Sequence, residues 1–286
     1  MKPKIQKFNM RTGGGKPRPY PDYHIHTKMC GHAEGEMEEY VREAVRKGLG
    51  EIGFNEHFPI LHIEDKELAR RLAMSIDEFP IYVRQVKKLQ KEFEKHIVIK
   101  LGCEIDYLPG KMERIMNTIN KYNFDYLYGS VHFLGDWMID HPDHKSRFEN
   151  QDLYKVYKDY FSLIRKAAES GLFDCMSHID VIKKFGYKPD KDLSSIYEET
   201  AEALKYADVC IEVNTSGLYK PVGEIYPEEK FLNICYEHNV PVTLGSDSHK
   251  PEHVGRDFDK AISLIKKAGY KKIVRFSKRQ RSYVNV

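Results

Sequence analysis

Seven histidines and two carboxylates recur in short motifs along this chain: His24 and His26 in DYHIHT, His32 in CGH, His57 in FNEH, Glu104 in GCEID, His132 in GSVH, His178 in MSHID, and Asp247 with His249 in GSDSH. Imidazole and carboxylate are the donors that suit Zn, Mn, Fe or Co. All but His32 fall where a short apolar run ends. His24 and His26 lie two residues apart, so on a strand they point to one face. Asp247 and His249 repeat that spacing. Two such pairs, with five further donors in matching positions, suffice for more than one cation. The chemistry they imply is metal-assisted hydrolysis, most of all of a phosphate ester.

Short apolar runs alternate with helical patterns after Pro19, and these are the elements that must gather the donors. Strands are predicted over 20–26, 51–57, 97–107, 124–133, 173–180, 209–215 and 241–249. Helices are predicted over 36–47, 77–95, 110–122, 152–170, 191–207, 227–238 and 257–268, with Gly48, Gly171 and Gly269 as stops and Pro80 in a first turn. A last apolar run, 272–276, reads as a terminal strand. Residues 60–75 form an inserted, charged segment, and 135–150 a polar loop long enough for a lid or binding loop. The alternation implies an α/β fold with a parallel sheet and right-handed crossovers. Closed on itself, it is a seven-fold relative of the (β/α)8 barrel, with its chemistry at the C-terminal rim of the strands. First and last strands are then neighbours, and the two donor pairs meet across their seam. The sixth strand adds Glu212 and Asn214 to the rim. This organisation makes 20–286 one domain and 1–19 a flexible basic arm.

With 46 basic and 43 acidic side chains the net charge is +3, which gives no footprint of a nucleic-acid partner. No stretch approaches the ~20 apolar residues of a membrane span. Five cysteines without a CxxC pair read as reduced thiols of a cytoplasmic protein. Residues 1–19 lack the apolar core of a signal peptide. Oligomeric state is not legible.

At the motifs quoted above the chain resembles the polymerase and histidinol phosphatase (PHP) family of metal-dependent phosphoesterases, from Tyr20 to Phe258. The resemblance implies a distorted (β/α)7 TIM-like barrel, the PHP fold, holding three divalent transition-metal ions. It implies His24, His26, Glu104 and Asp247 on the first ion. Glu104 would bridge to a second, shared with His132 and His178, and His32, His57 and His249 would hold the third. A water between the ions, held by Glu104 and Asp247, would attack phosphorus in line. No protein nucleophile is implied, and the general acid stays unassigned.

Three stretches resemble the histidinol-phosphate phosphatase branch: SHIDVIKKF (177–185), EVNTSGLYKPVGEIYP (212–227) and GSDSHKPEHVG (245–255). That resemblance implies L-histidinol phosphate as substrate, in histidine biosynthesis, with basic side chains near the fifth and sixth strands on the phosphate. Lys183 or Lys184 fits the first place. Tyr219 stands where the branch carries Arg, with Lys220 next, and a lysine lacks the bidentate grip of an arginine. Arg256 is a further candidate cation, and Asn214 and Glu56 are further candidate substrate contacts, Glu56 as an acid or ammonium binder. Asp22 and Asp180, each two residues from a donor histidine, are candidates to orient imidazoles. His141 and His144 read as surface residues. Alternatives stay open: another phosphate ester (nucleotide, phosphopeptide or sugar phosphate), an amidohydrolase-type enzyme, which would bridge its ions with a modified lysine, or a non-catalytic metal-binding module.

Overall fold

Residues 18–286 are described by a computed structural model. The arm expected over 1–19 lies outside the described residues except for Arg18 and Pro19, which already belong to strand β1 (Arg18–Ile25). Helix α1 (Met37–Arg46) follows, because Met37, Tyr40, Val41, Ala44 and Val45 recur at helical spacing and bury one face. Each such large apolar side chain contributes about 1.5–3 kcal/mol on burial. Glu36 and Glu39 close its start as a capping box. Strand β2 (Leu49–Phe54) comes next, and the inserted segment contains a short helix, α2 (Lys66–Leu72). Helix α3 (Phe79–Glu92) carries Pro80 in its first turn, as expected.

The third expected strand is two strands, β3 (Val98–Leu101) and β4 (Glu104–Asp106). The break has a physical cause in Tyr126. A Cβ on Gly102 would lie 2.2 Å from the Tyr126 ring, and one on Gly53 would lie 2.1 Å from its hydroxyl. That hydroxyl donates to the Tyr23 carbonyl at 2.8 Å. The buried ring thus occupies space beside both glycines, where the chain passes from one sheet to the next. Helix α4 (Met112–Ile119) leads to β5 (Tyr128–Ser130). The polar loop is more ordered than expected: β6 (Phe133–Leu134) and β7 (Trp137–Met138) form a small hairpin, followed by helical turns over Pro142–Phe148. Then come α5 (Leu153–Glu169), β8 (Cys175–Met176), α6 (Ser194–Tyr206), β9 (Cys210–Asn214), α7 (Glu229–Glu237), β10 (Val242–Gly245) and α8 (Phe258–Ala268). The expected terminal strand is β11 (Lys272–Ser277). It turns back into β12 (Gln280–Asn285), whose polar, largely exposed sequence carries no apolar signal.

The α/β order produces two parallel sheets, β1-β2-β3 and β10-β9-β8-β5-β4. Single parallel bridges join them, Ile25 of β1 to Ser248 beyond β10, and His57 beyond β2 to Glu104 of β4. At the first bridge the His26 amide donates to the Ser248 carbonyl at 2.9 Å and the Ser248 amide to the His24 carbonyl at 3.1 Å. Asp22 clamps the same junction, accepting from the amides of Ser246 (2.9 Å) and Gly255 (2.8 Å). First and last strands are therefore neighbours, and Asp22 orients a backbone rather than an imidazole. Where β11 packs against the first residues of β5, β8 and β9, Tyr23, Tyr126, Tyr128, Cys175, Cys210, Val274 and Phe276 form a separate buried cluster. All five cysteines are free and buried. No helix among the described residues is long and apolar enough to cross a membrane.

Candidate metal centre

All the motif histidines meet at the C-terminal ends of the strands, and their outer nitrogens are engaged first. His24 Nδ1 lies 2.7 Å from Glu212 Oε1, His26 Nδ1 3.2 Å from Glu56 Oε1, and His132 Nδ1 2.9 Å from Asp106 Oδ1. Backbone carbonyls serve the more open rings: His249 Nδ1 lies 3.0 Å from the Asp247 carbonyl, and His32 Nδ1 3.2 Å from that of Arg71. Pinning one nitrogen fixes the ring and aims the other. The aimed nitrogens crowd one another. Nε2 pairs lie 3.0 Å apart in His24 and His26, 3.0 Å in His32 and His249, and 3.3 Å in His132 and His178.

Glu104 sits among them. Its Oε2 is 3.2 Å from His24 Nε2 and 3.1 Å from His57 Nδ1, and its Oε1 is 3.0 Å from His178 Nε2. Ser130 donates to Oε1 at 2.6 Å. Asp247 Oδ1 lies 3.3 Å from His26 Nε2, and Ser216 donates to its Oδ2 at 3.0 Å. Glu212 does double duty, since its other oxygen accepts from the His178 amide at 2.8 Å. Gly245 makes room for it: a Cβ there would lie 1.8 Å from Glu212 Oε1 and 2.7 Å from His24 Cβ.

The electrostatics follow from this crowding. Burial pushes the Glu104 carboxyl up, but His24 and His57 overcome it and hold the group well below its ordinary value. Burial likewise opposes charge on His26, yet Asp247 and Glu56 lift it to about 9. Burial is again outweighed at His132, where Asp106 and Asp140 lift the ring to about 10. His57 and His249 go the other way, pushed well down by burial and by the neighbouring His26. The buried carboxylates thus draw positive charge into the cluster. Nitrogen and oxygen donors with aimed lone pairs around carboxylates are a set that fits divalent cations. Four triads have all their donor atoms within 4.8 Å of one another: His24-His26-Asp247, His24-Glu104-His178, His26-His57-His249 and Cys30-His32-His249. Burial pushes the Cys30 thiol up, so in the absence of a cation it is neutral.

Beside the cluster lies a cavity of about 450 Å³ whose lining includes Lys184, Lys220 and Arg256 as well as the donors. Lys184 Nζ is held by the Asp140 carbonyl at 2.7 Å and its carboxylate at 3.0 Å. Arg256 stacks 3.3 Å from the centroid of the Tyr219 ring, and the Tyr219 hydroxyl donates to Asp257.

This geometry agrees with what the chain is similar to. The family model described as the PHP domain matches residues 22–216. The chain belongs to the PHP family. A Deinococcus radiodurans protein described as a probable histidinol-phosphatase is 34% identical to this PHP protein over 248 residues, covering 87% of this chain and 93% of that one. The histidinol-phosphatase of Bacillus subtilis is 27% identical over 259 residues, covering 83% of this chain and 96% of its own. A crystal structure of histidinol phosphate phosphatase from Lactococcus lactis, in complex with zinc, L-histidinol and phosphate, superposes with a TM-score of 0.78 at 26% identity, covering 92% of this chain and 98% of that one.

Within this PHP domain four expected substrate contacts divide differently from the sequence reading. Lys184 faces the cavity but Lys183 does not. Lys183 is buried, paired with Asp180 at 2.9 Å and Glu224 at 3.2 Å, and donates to the Ile225 carbonyl at 3.0 Å. The tight turn over Val181–Lys183 sends adjacent lysines to different sides. Asp180 accordingly serves Lys183 and the Glu228 amide (2.8 Å), not an imidazole. Asn214 is fully buried, donating to Glu212 at 2.9 Å and accepting from the Ser216 amide at 2.9 Å, so it shapes the turn and is not in the cavity wall. Glu56 is fully buried behind His26, where the Thr27 amide (2.8 Å) and hydroxyl (2.6 Å) occupy its second oxygen. It orients a histidine and is closed to an ammonium ligand. The sequence reading missed Asp106 and Asp140. Asp106 carried a visible signal, two residues beyond Glu104 on a strand and so on the same face.

Proposed function

We propose that this PHP protein is a metal-dependent phosphomonoesterase that hydrolyses L-histidinol phosphate to L-histidinol and phosphate, a step of histidine biosynthesis, in the cytoplasm. The observation that carries this reading is the meeting of nine nitrogen and oxygen donor residues at a cavity that Lys184, Lys220 and Arg256 also line. Similarity to relatives described as histidinol-phosphatases supports the substrate. The zinc, L-histidinol and phosphate of the Lactococcus lactis structure support the metal class and the ligand.

On this reading His24, His26, Glu104 and Asp247 would hold one cation, Glu104, His132 and His178 a second, and His32, His57 and His249 a third, at the rim of a distorted seven-stranded barrel. Cations held there supply Lewis-acid activation of water and neutralise the charge that spreads over phosphorus. The residues do the rest. Glu212, Glu56 and Asp106 keep the imidazoles in register through their outer nitrogens. Ser130 fixes the Glu104 carboxylate between His24 and His178. Lys184, Lys220 and Arg256 bind phosphoryl oxygens and align the ester, and positioning with charge stabilisation is most of what phosphoryl transfer requires. Tyr219 brings no charge of its own, but its ring carries Arg256 into the cavity wall.

Phosphate release from L-histidinol phosphate, p-nitrophenyl phosphate, a nucleotide and a sugar phosphate tests the reading. A clear preference for L-histidinol phosphate, abolished by chelation and restored by Zn, Mn, Fe or Co, is expected. If L-histidinol phosphate is no better than p-nitrophenyl phosphate, the biosynthetic assignment fails. Full turnover after chelation removes the metal reading.

A further inference from the structure

Two segments outside the strand-helix alternation flank the cluster on one side: the insertion that contains α2, and the β6–β7 hairpin with the turns after it. A second cavity of about 350 Å³ lies between them. It opens onto the cluster, sharing His32, His57, His132, Asp140 and Lys184 with the first cavity. Its own lining adds apolar side chains. Ile60 and Leu72 come from one insertion, and Phe133, Met138 and Pro142 from the other, beside Arg71, Asp106 and His141. Two cavities therefore meet at one cluster, and the second brings to it five apolar side chains that do not line the first.

The apolar walls are fixed to the cluster rather than loose. The Arg71 carbonyl, next to Leu72, lies 3.2 Å from His32 Nδ1. Arg70 donates to the Met29 carbonyl at 2.9 Å and pairs with Glu78 at 2.9 Å. Gly31 lets α2 approach this closely, for a Cβ there would lie 2.4 Å from the Arg70 carbonyl oxygen. On the other side the Ile139 amide donates to the His132 carbonyl at 2.9 Å, and Lys184 holds Asp140. The His62 ring packs edge-on to Phe133 at 4.6 Å.

A phosphate monoester has two unlike halves, and in-line displacement puts the attacking and departing oxygens on opposite sides of phosphorus. The charged half belongs with the cations. We infer that the second cavity receives the departing alcohol and selects one that carries a flat ring over a small polar one. The inference rests on the phosphomonoesterase reading and deepens it. A volume near 350 Å³ is within the range of small-ligand sites, and Leu72 and Met138, one from each insertion, offer a ring apolar contact. The two insertions thus act as specificity determinants, while the strand ends carry the chemistry.

The metal-loaded protein is assayed with three esters: L-histidinol phosphate, p-nitrophenyl phosphate (a ring without an ammonium) and O-phosphoethanolamine (an ammonium without a ring). Leu72→Ala and Met138→Ala are each expected to lower kcat/KM for the two ring-bearing esters by about 10-fold relative to O-phosphoethanolamine, the scale of a lost apolar pocket contact. The loss is expected mainly in KM, and the inhibition constant of L-histidinol is expected to rise more than that of inorganic phosphate. Leu72→Phe narrows the cavity from a half-buried position and is expected to shift the same ratio in the same direction, which guards against a variant that merely fails to fold. Equal losses on all three esters, or none, overturn the inference. No preference of the wild type for L-histidinol phosphate over p-nitrophenyl phosphate sinks the biosynthetic assignment alone, since the ratio of ring-bearing to ringless esters still decides what the cavity reads.

Discussion

In the buried cluster where β11 meets the sheets, Tyr23 donates to Glu51, Arg275 pairs with the same carboxylate, and the Phe276 amide donates back to the Tyr23 hydroxyl at 3.0 Å. At the end where the donors gather, His24 and His26 face each other Nε2 to Nε2, and Glu104 collects histidines from three directions. Both regions bury charge. One closes donor on acceptor around Tyr23 and Glu51. The other crowds imidazole nitrogens around carboxylates and draws in positive charge. Buried polar groups left in conflict cost free energy, so a fold that keeps them at one end and resolves them at the other marks where its chemistry lies.

The comparison breaks most readily at Glu104. Glu104→Gln keeps shape and removes charge, and it is expected to cut kcat/KM by about 10²–10³-fold, the scale of losing one key electrostatic stabiliser. Steady-state kinetics with a circular-dichroism check on folding decide it, and a mild effect would mean that the conflicting end is not the reaction centre. A step away, Glu212→Gln is expected to weaken metal affinity by about 10–100-fold, read by competition with a chelator and relieved by excess metal. Gly245→Ala is expected to move affinity the same way, because its Cβ would lie 1.8 Å from the Glu212 oxygen that holds His24.

At the closed end the expected readout is stability, not turnover. Tyr23→Phe orphans its partners and is expected to cost about 1–3 kcal/mol in denaturant unfolding, with kcat/KM of the metal-loaded enzyme retained. A large loss of turnover there would erase the distinction between the ends. The smallest effect is a pH drift in the chelated protein. His26 and His132 are lifted to about 9 and about 10, so the stability they contribute is complete below ~6.5 and is lost as pH rises through those values. The melting temperature with chelator present is therefore expected to fall across that alkaline window, and saturating metal is expected to flatten the trend.

The difference between the ends also explains what was readable in the sequence. The donor motifs stood out because HxH and DxH place rare, reactive types at period two where apolar runs stop. Their outer partners were harder to see, since the pairing of Glu212 with His24 spans 188 residues and depends on which strands become neighbours. Lys183 and Lys184 are identical in type and adjacent, and only the tight turn at Val181–Lys183 separates the buried one from the cavity-facing one. The split of the third strand was hidden because its cause, the Tyr126 ring against Gly53 and Gly102, is entirely tertiary. Hairpin β11–β12 was half visible: apolar β11 announced itself, and polar β12 did not.

Depth within the centre is graded. His24 and His26 are sealed at 0% and 1% exposure, His57 and His249 are half-buried, and His32 stands in the open, propped by the carbonyl of a residue in a short helix. On the reading proposed above, the ion held by His32, His57 and His249 would exchange with the medium first, and the one held by His24 and His26 last. Brief dialysis would then yield a partly stripped population rather than an empty one. Metal counts below saturation would record how a preparation was handled, not its stoichiometry.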